Sequence, residues 1–191
     1  MKKNSLFEKY INKESVLKSE NIEIGDGTRI NGKILIHGKS GVKIGKFNAI
    51  GYGIKIISTS HNINYPNIQL NLQRKLGCVD LEEGNIIDEK FSVILHNNIW
   101  VGNNVSILSG VEVGSGSILA TGSVINKSIE PFSIYMGNPA RNIGYRFKEE
   151  TIRQLLKIKW WDWNENKIKK NKVFFDTDLN KYKGNISDLI K

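Results

Sequence analysis

The chain has 191 residues, 39% of them hydrophobic and 25% charged, with a formal net charge of +9. That length suits one ordinary domain with a small appendage, and the balance excludes the disordered and membrane-spanning classes. A cationic excess admits nucleic acid or an anionic ligand as partner, so the placement of the charge has to decide.

The first residues include Lys2 and Lys3 but no apolar stretch of the kind a signal peptide needs. The one cysteine, Cys78, supports neither an internal disulfide nor a thiolate metal site. A cytoplasmic protein without a membrane span is expected. Residues 1–21 carry no clear pattern and read as an N-terminal segment.

From residue 24 an aliphatic side chain returns at every sixth position. Ile24, Ile30 and Ile36 set the frame, a two-residue slip moves it to Ile44, Ile50 and Ile56, and it resumes at Leu95, Val101, Ile107, Val113, Leu119 and Ile125. A helix returns to one face after three or four residues and a plain strand after two, so a period of six fits neither alone. It fits a solenoid of short strands, in which each side of a triangular prism offers an inward aliphatic and a turn of Gly, Asn or Ser. Three hexads make one coil, which predicts roughly four coils over 24–41, 44–61, 95–112 and 113–130. A β-sandwich with accidental spacing is the alternative.

Residues 62–90 lie outside the register and read as a loop thrown out from the prism, at a scale where insertions are usually functional. After residue 131 the repeat stops, and Ile152, Leu155 and Leu156 form one face of a helix expected to pack on the last coil. The last stretch, 164–191, reads as a peripheral helix or a frayed tail. The expected organisation is therefore an N-terminal segment (1–21), a β-helix domain (22–145) with its inserted loop, and a helical extension (146–191).

Charge placement argues against nucleic acid. Between residues 91 and 126 the one formal charge is Glu112, whereas 17 of the 28 basic residues fall in 1–21 and 146–191. An uncharged prism wall suits burial against another copy of the chain.

These hexads resemble the hexapeptide-repeat acyltransferases, and specifically the branch of the chloramphenicol and streptogramin acetyltransferases. Three further motifs carry the resemblance in order: TSH at 59–61, NIWVG at 98–102, and MGNPAR at 136–141 followed by IKWWDW at 158–163. The resemblance implies an all-β solenoid, a left-handed parallel β-helix with a protruding loop and a C-terminal α-helical segment. It also implies a homotrimer with active sites at subunit boundaries, acetyl-CoA as donor, and no metal. The left hand comes from the resemblance alone, because the general rule for parallel crossovers gives the right hand.

His61 matches the family's catalytic histidine. The chemistry asks for a base titrating near neutrality, able to take the proton of an acceptor hydroxyl as its oxygen attacks the thioester. By the same resemblance Trp100 stands beside the donor tunnel, or packs in a subunit interface. Asn103, Thr121, Asn126, Lys127 and Arg141 match positions that line the pantetheine arm and the phosphate end of CoA in galactoside-type relatives. For Asn103 and Thr121 a turn-stabilising role is the alternative. His37 and His96 read as surface residues, and Cys78 as an ordinary loop thiol.

The inserted loop departs from the drug-modifying pattern. Its amides, Asn62, Asn64, Asn67, Gln69 and Asn71, can donate and accept to a polyhydroxylated ring, and Tyr65 can stack on one. The expected function is transfer of an acetyl group to a sugar hydroxyl of a surface polysaccharide or its precursor. Antibiotic O-acetylation and N-acetylation of a nucleotide-linked aminosugar are the alternatives within the family. A non-catalytic prism and a three-histidine metal hydratase are the alternatives outside it, the latter opposed by the spacing of His37, His61 and His96.

Overall fold

The computed structural model describes residues 5–61, 63–78 and 90–191. Successive short strands take the three sides of a prism in turn, so strands equivalent in the repeat become hydrogen-bonded neighbours. Face A stacks β1 (Tyr10–Ile11), β4 (Arg29–Ile30), β7 (Ala49–Ile50), β10 (Trp100–Val101), β13 (Ile118–Leu119) and β15 (Ser133–Gly137). Face B stacks β2 (Val16–Lys18), β5 (Ile34–His37), β8 (Ile54–Ile57), β11 (Ser106–Ile107) and β14 (Val124–Ile125). Face C stacks β3 (Ile22–Ile24), β6 (Gly41–Ile44), β9 (Phe91–Leu95) and β12 (Val111–Val113). The result is a left-handed parallel β-helix, closed on face A by the antiparallel strand β16 (Ala140–Tyr145).

The hexad frame is the ladder register itself. Ile30 pairs with Ile50, Ile50 with Val101 and Val101 with Leu119 on face A. Ile36, Ile56, Ile107 and Ile125 follow one another on face B, and Ile24, Ile44, Leu95 and Val113 on face C. Apart from the half-buried Ile24 at the base, each of these is at most 1% exposed. Each such side chain contributes about 1.5–3 kcal/mol on leaving water.

The prism has five full coils and the first side of a sixth, one coil more than the hexads indicate. The additional coil is the first. Ile11 and Leu17 occupy its inward positions, paired with Ile30 and Ile36, but seven residues separate Leu17 from Ile24 and the frame is lost. Lying at the end of the stack, Ile11 and Leu17 stay 36% and 39% exposed, so their pattern is weak as well. The uncharged stretch 91–126 is also not one wall. It winds through β9 to β14, so the upper coils are neutral on faces A and B and carry Glu112 alone on face C.

The corners between faces C and A form a column of left-handed residues: Gly27, Phe47, Asn98, Gly116 and Phe132 all have φ between 54° and 77°. A β-carbon on Gly27 or Gly116 would meet the ring of Phe47 or Phe132 at 2.4 Å, so glycine lets each ring lie against the corner below. The C-terminal extension docks on these two rings. Helix α2 (Glu149–Ile158) presents Ile152, Leu155 and Leu156 to a cluster with Phe132 and Trp161, as its sequence pattern predicts. Trp160 lies 5.1 Å from Phe47, and Lys46 pairs with Asp162 at 3.1 Å.

The remaining tail is neither frayed nor one helix. It folds as two short helices, Glu165–Lys170 and Lys172–Asp176, and buries Phe174 and Ile186. Buried Asn171 donates to the carbonyl of Lys191 and accepts its N–H. At the top of the prism, buried Tyr135 donates its hydroxyl to Glu130 at 3.1 Å; desolvation, then the carboxylate, push the phenol above its ordinary range.

Replacing Ile107 by Ala opens a cavity between Ile56 and Ile125. The expected loss is about 2–5 kcal/mol, read from urea denaturation midpoints, and a loss below about 1 kcal/mol would show that the aliphatic ladder is not what holds the coils.

Candidate active-site edge

Because the coils superpose, each corner becomes a vertical edge, and the sequence-predicted residues fall on identifiable edges. His61 belongs to the edge between faces B and C. There the chain leaves β8 through Ser58, which is buried, and returns at Ser92. The Ser92 hydroxyl donates to the Ser58 carbonyl at 2.6 Å, closing the root of the insertion. One residue further, the Thr59 hydroxyl accepts from the backbone N–H groups of Lys39 (2.6 Å) and Ser40 (3.3 Å) in the corner below. His61 is exposed and stands two residues beyond this anchor. The serines and Thr59 are support residues that sequence reasoning did not single out; the signal was only their position flanking the break in the repeat.

Asn126 and Lys127 continue the same edge two coils higher, after β14, and neighbouring coils are about 4.8 Å apart. The Lys127 ammonium lies 6.0 Å from the centre of the Tyr135 ring, at the top of the prism. Arg141 sits in the β15–β16 hairpin, exposed, with one guanidinium nitrogen donating to the Ala140 carbonyl.

Asn103 and Thr121 lie on the opposite edge of face B, between faces A and B. The Asn103 side chain accepts from the Tyr52 N–H at 3.2 Å and its own N–H donates to the Thr121 hydroxyl at 3.2 Å, so both side chains link successive coils. Trp100 points outward from face A, 58% exposed, between Ala49 below and Ile118 above. Within one chain these residues are spread over face A and both edges of face B rather than brought together in one cavity.

The insertion contains helix α1 (Leu70–Leu76), ended by left-handed Gly77 with φ of 62°. Gly77 and the basic pair Arg74 and Lys75 in the last turn were the available signals for it. Asn67 ties its amide to the backbone of Gln69 on both sides and accepts from Gln73, which fixes the turn before α1. Asn64 and Tyr65 lie in the preceding turn, with Tyr65 39% exposed. Asn62 lies outside the described residues. Ile63, Ile68 and Leu76 are 81%, 57% and 63% exposed, so the insertion leaves apolar side chains uncovered in a single chain.

His37 and His96 are surface residues. His37 faces outward on β5, and His96 meets Glu112 across neighbouring coils of face C, with Nε2 2.5 Å from the carboxylate. Among the described residues no group of three or more His, Cys, Asp or Glu is placed to hold a metal ion, and no helix is long and apolar enough to cross a membrane.

Residues 92–127 match the family model described as bacterial transferase hexapeptide (six repeats). A probable macrolide acetyltransferase of Lysinibacillus sphaericus is 37% identical over 128 residues, covering 65% of this chain and 71% of that protein. A chloramphenicol acetyltransferase of Klebsiella aerogenes is 36% identical over 78 residues, 41% of this chain and 37% of its own length. The chain therefore spans little more than a third of the second relative. Among solved structures, a variant of AntD, an N-acyltransferase from Bacillus cereus in complex with dTDP-4-amino-4,6-dideoxyglucose and coenzyme A, superposes with a TM-score of 0.59. It is 18% identical over 80% of this chain and 77% of that one, a likeness of fold alone.

The hydroxyl of Thr59 is the hinge of this edge. Thr59→Val keeps the shape and removes the acceptor for two backbone N–H groups, so thermal unfolding should shift down by the equivalent of about 1–3 kcal/mol. An unchanged midpoint would mean that the corner is held without it.

Proposed function

The chain belongs to the bacterial hexapeptide-repeat transferases, and we propose that it moves the acetyl group of acetyl-CoA to a sugar hydroxyl with His61 as general base. The observation that carries this reading is the position of His61: an exposed imidazole launched from an anchored corner, at the foot of an insertion rich in amides. The His61 ring nitrogen takes the acceptor hydroxyl proton while that oxygen attacks the thioester carbonyl. Collapse of the tetrahedral adduct forms the ester and breaks the carbon–sulfur bond, and the departing CoA thiolate recovers the proton from the imidazolium. No covalent bond to the enzyme is needed.

The donor fits the upper half of the molecule. The exposed corners at 102–104 and 120–122 stand beside neutral strands and suit the pantetheine amides, while Lys127 and Arg141 place cations at the top, where the phosphates would emerge. Two edges of face B carry the proposed contacts, which suits a site completed by a second chain. The uncovered Ile63, Ile68 and Leu76 of the insertion and the exposed Trp100 beside half-buried Ile118 and Ile134 on face A favour the same arrangement, a homotrimer with its sites at subunit boundaries.

A drug hydroxyl is the second reading, favoured by the relatives named as macrolide and chloramphenicol acetyltransferases. Thioester consumption measured with saccharides, nucleotide aminosugars, chloramphenicol and a streptogramin separates the two. In that assay His61→Ala should lower turnover by about 10²–10⁴ with acetyl-CoA affinity nearly kept. A loss below about tenfold, with chemistry rate-limiting, would remove His61 from the role of base. Ala at both Lys127 and Arg141 should instead raise the KM for acetyl-CoA and leave turnover at saturation close to its original value, since these cations lie far from the thioester. If the KM does not move, the phosphates bind elsewhere.

A further inference from the structure

Lysines on the prism differ in pairing: some meet a carboxylate, some on face B and its edge toward face C do not, and Lys13 and Lys33 on the edge between faces A and B also lack an ion pair among the described residues. Lys9 pairs with Asp26, Lys43 and Lys90 with Glu23, and Lys46 with Asp162; Lys90 reaches its partner on face C from the edge between faces B and C, and the others lie on face C or the edge between faces C and A. Lys18, Lys39 and Lys55 on face B and its edge toward face C are exposed, and none of them has an ion-pair partner among the described residues. The acid of that edge, Glu20, donates its backbone N–H to the Lys39 carbonyl at 3.4 Å but forms no ion pair there.

Their positions relative to His61 are set by register. Lys55 lies on β8, the strand that leads into Thr59 and His61, and faces outward between Leu35 and Ser106. Lys39 is one coil lower, its backbone bonded to Thr59. Lys18 is two coils lower, in an outward column with His37 and Ile57. Three cations thus lie at or within about 10 Å below the coil from which the base departs. Above that coil face B is neutral, with Ser106 and Val124 outward, until Lys127 and Arg141 at the top.

A donor stretched upward from His61 has its anionic end at Lys127 and Arg141, which leaves the lower lysines without a part in holding it. Unpaired ammonium groups on one side of a reaction centre raise the local concentration of anions and steer them there. We infer that the acceptor is itself anionic, a polyhydroxylated ring bearing a phosphate or carboxylate group, with that charge held by Lys18, Lys39 and Lys55 on the N-terminal side of the His61 coil. The inference rests on the reading of His61 as the base for transfer to a sugar hydroxyl.

The test uses the whole enzyme at low ionic strength with matched acceptors: a neutral methyl glycoside, its phosphate ester, its uronic acid, and a nucleotide diphosphate sugar. Charged acceptors should have a kcat/KM about tenfold or more above the neutral glycoside, with the advantage shrinking as salt is added. Replacing Lys18, Lys39 and Lys55 together by Gln should bring that ratio close to one through a higher KM for the charged acceptors. Thermal unfolding and calorimetric acetyl-CoA binding report that the variant remains folded. Preference among the phosphate, carboxylate and diphosphate arms identifies the source of the charge. Equal efficiency on charged and neutral glycosides, or a ratio the triple variant does not move, overturns the inference. Transfer to chloramphenicol and to no saccharide, charged or neutral, overturns the sugar reading and this inference with it.

Discussion

Coil-on-coil superposition of single aliphatic side chains is the constraint from which the rest of this molecule follows. Each inward Ile, Leu or Val sits on its counterpart in the coil below, so every corner must fall above the previous one and any residues beyond the six of a hexad have to be taken up at a corner. That requirement forces left-handed residues into the corners and turns corners into straight edges. On the edge between faces C and A, even two phenylalanines adopt this conformation, at a conformational cost of roughly 1–2 kcal/mol each. Their rings are the seat for Trp160 and Trp161, so the cost is offset by the docking of the whole C-terminal extension.

The same superposition allots the edges to different tasks. One edge is occupied by the C-terminal helices and their aromatic cluster. The edge between faces B and C is broken once by the insertion and carries His61, Asn126 and Lys127, and the edge between faces A and B carries Asn103 and Thr121. An insertion placed at the corner costs the core nothing, because Ser92 and Ser58 close its root and the ladder from Ile56 to Ile107 passes beside it unbroken.

What the sequence made legible follows from how strictly each element obeys a period. The twelve inward aliphatics from Ile24 to Ile125 were read directly, and with them the prism and the corner that bears His61. The first coil escaped because one extra residue between Leu17 and Ile24 breaks the count and because an end coil buries too little to need a strong pattern. Helix α1 is short and its described side chains are largely exposed, so no amphipathic stripe marks it. The tail was illegible because a buried amide, Asn171, and single aromatics such as Phe174 fix its short helices. Spatial separation of the candidate residues onto two edges was equally invisible, since hexad position gives height and side of the prism only once the corner lengths are known.

The two ends of the prism differ in outline. At the N-terminal end β1, β2 and β3 finish the three faces within one coil, giving a level triangular base, whereas at the other end face A runs to seven strands, face B to five and face C to four. A level base cannot register on a stepped top, and the last strand of face A is reversed in direction. Head-to-tail growth into a filament, the hazard of any solenoid with open sheet ends, is therefore blocked by geometry at one terminus alone. Among the described residues the outlines match base against base, and a contact of that kind satisfies itself after a single pairing.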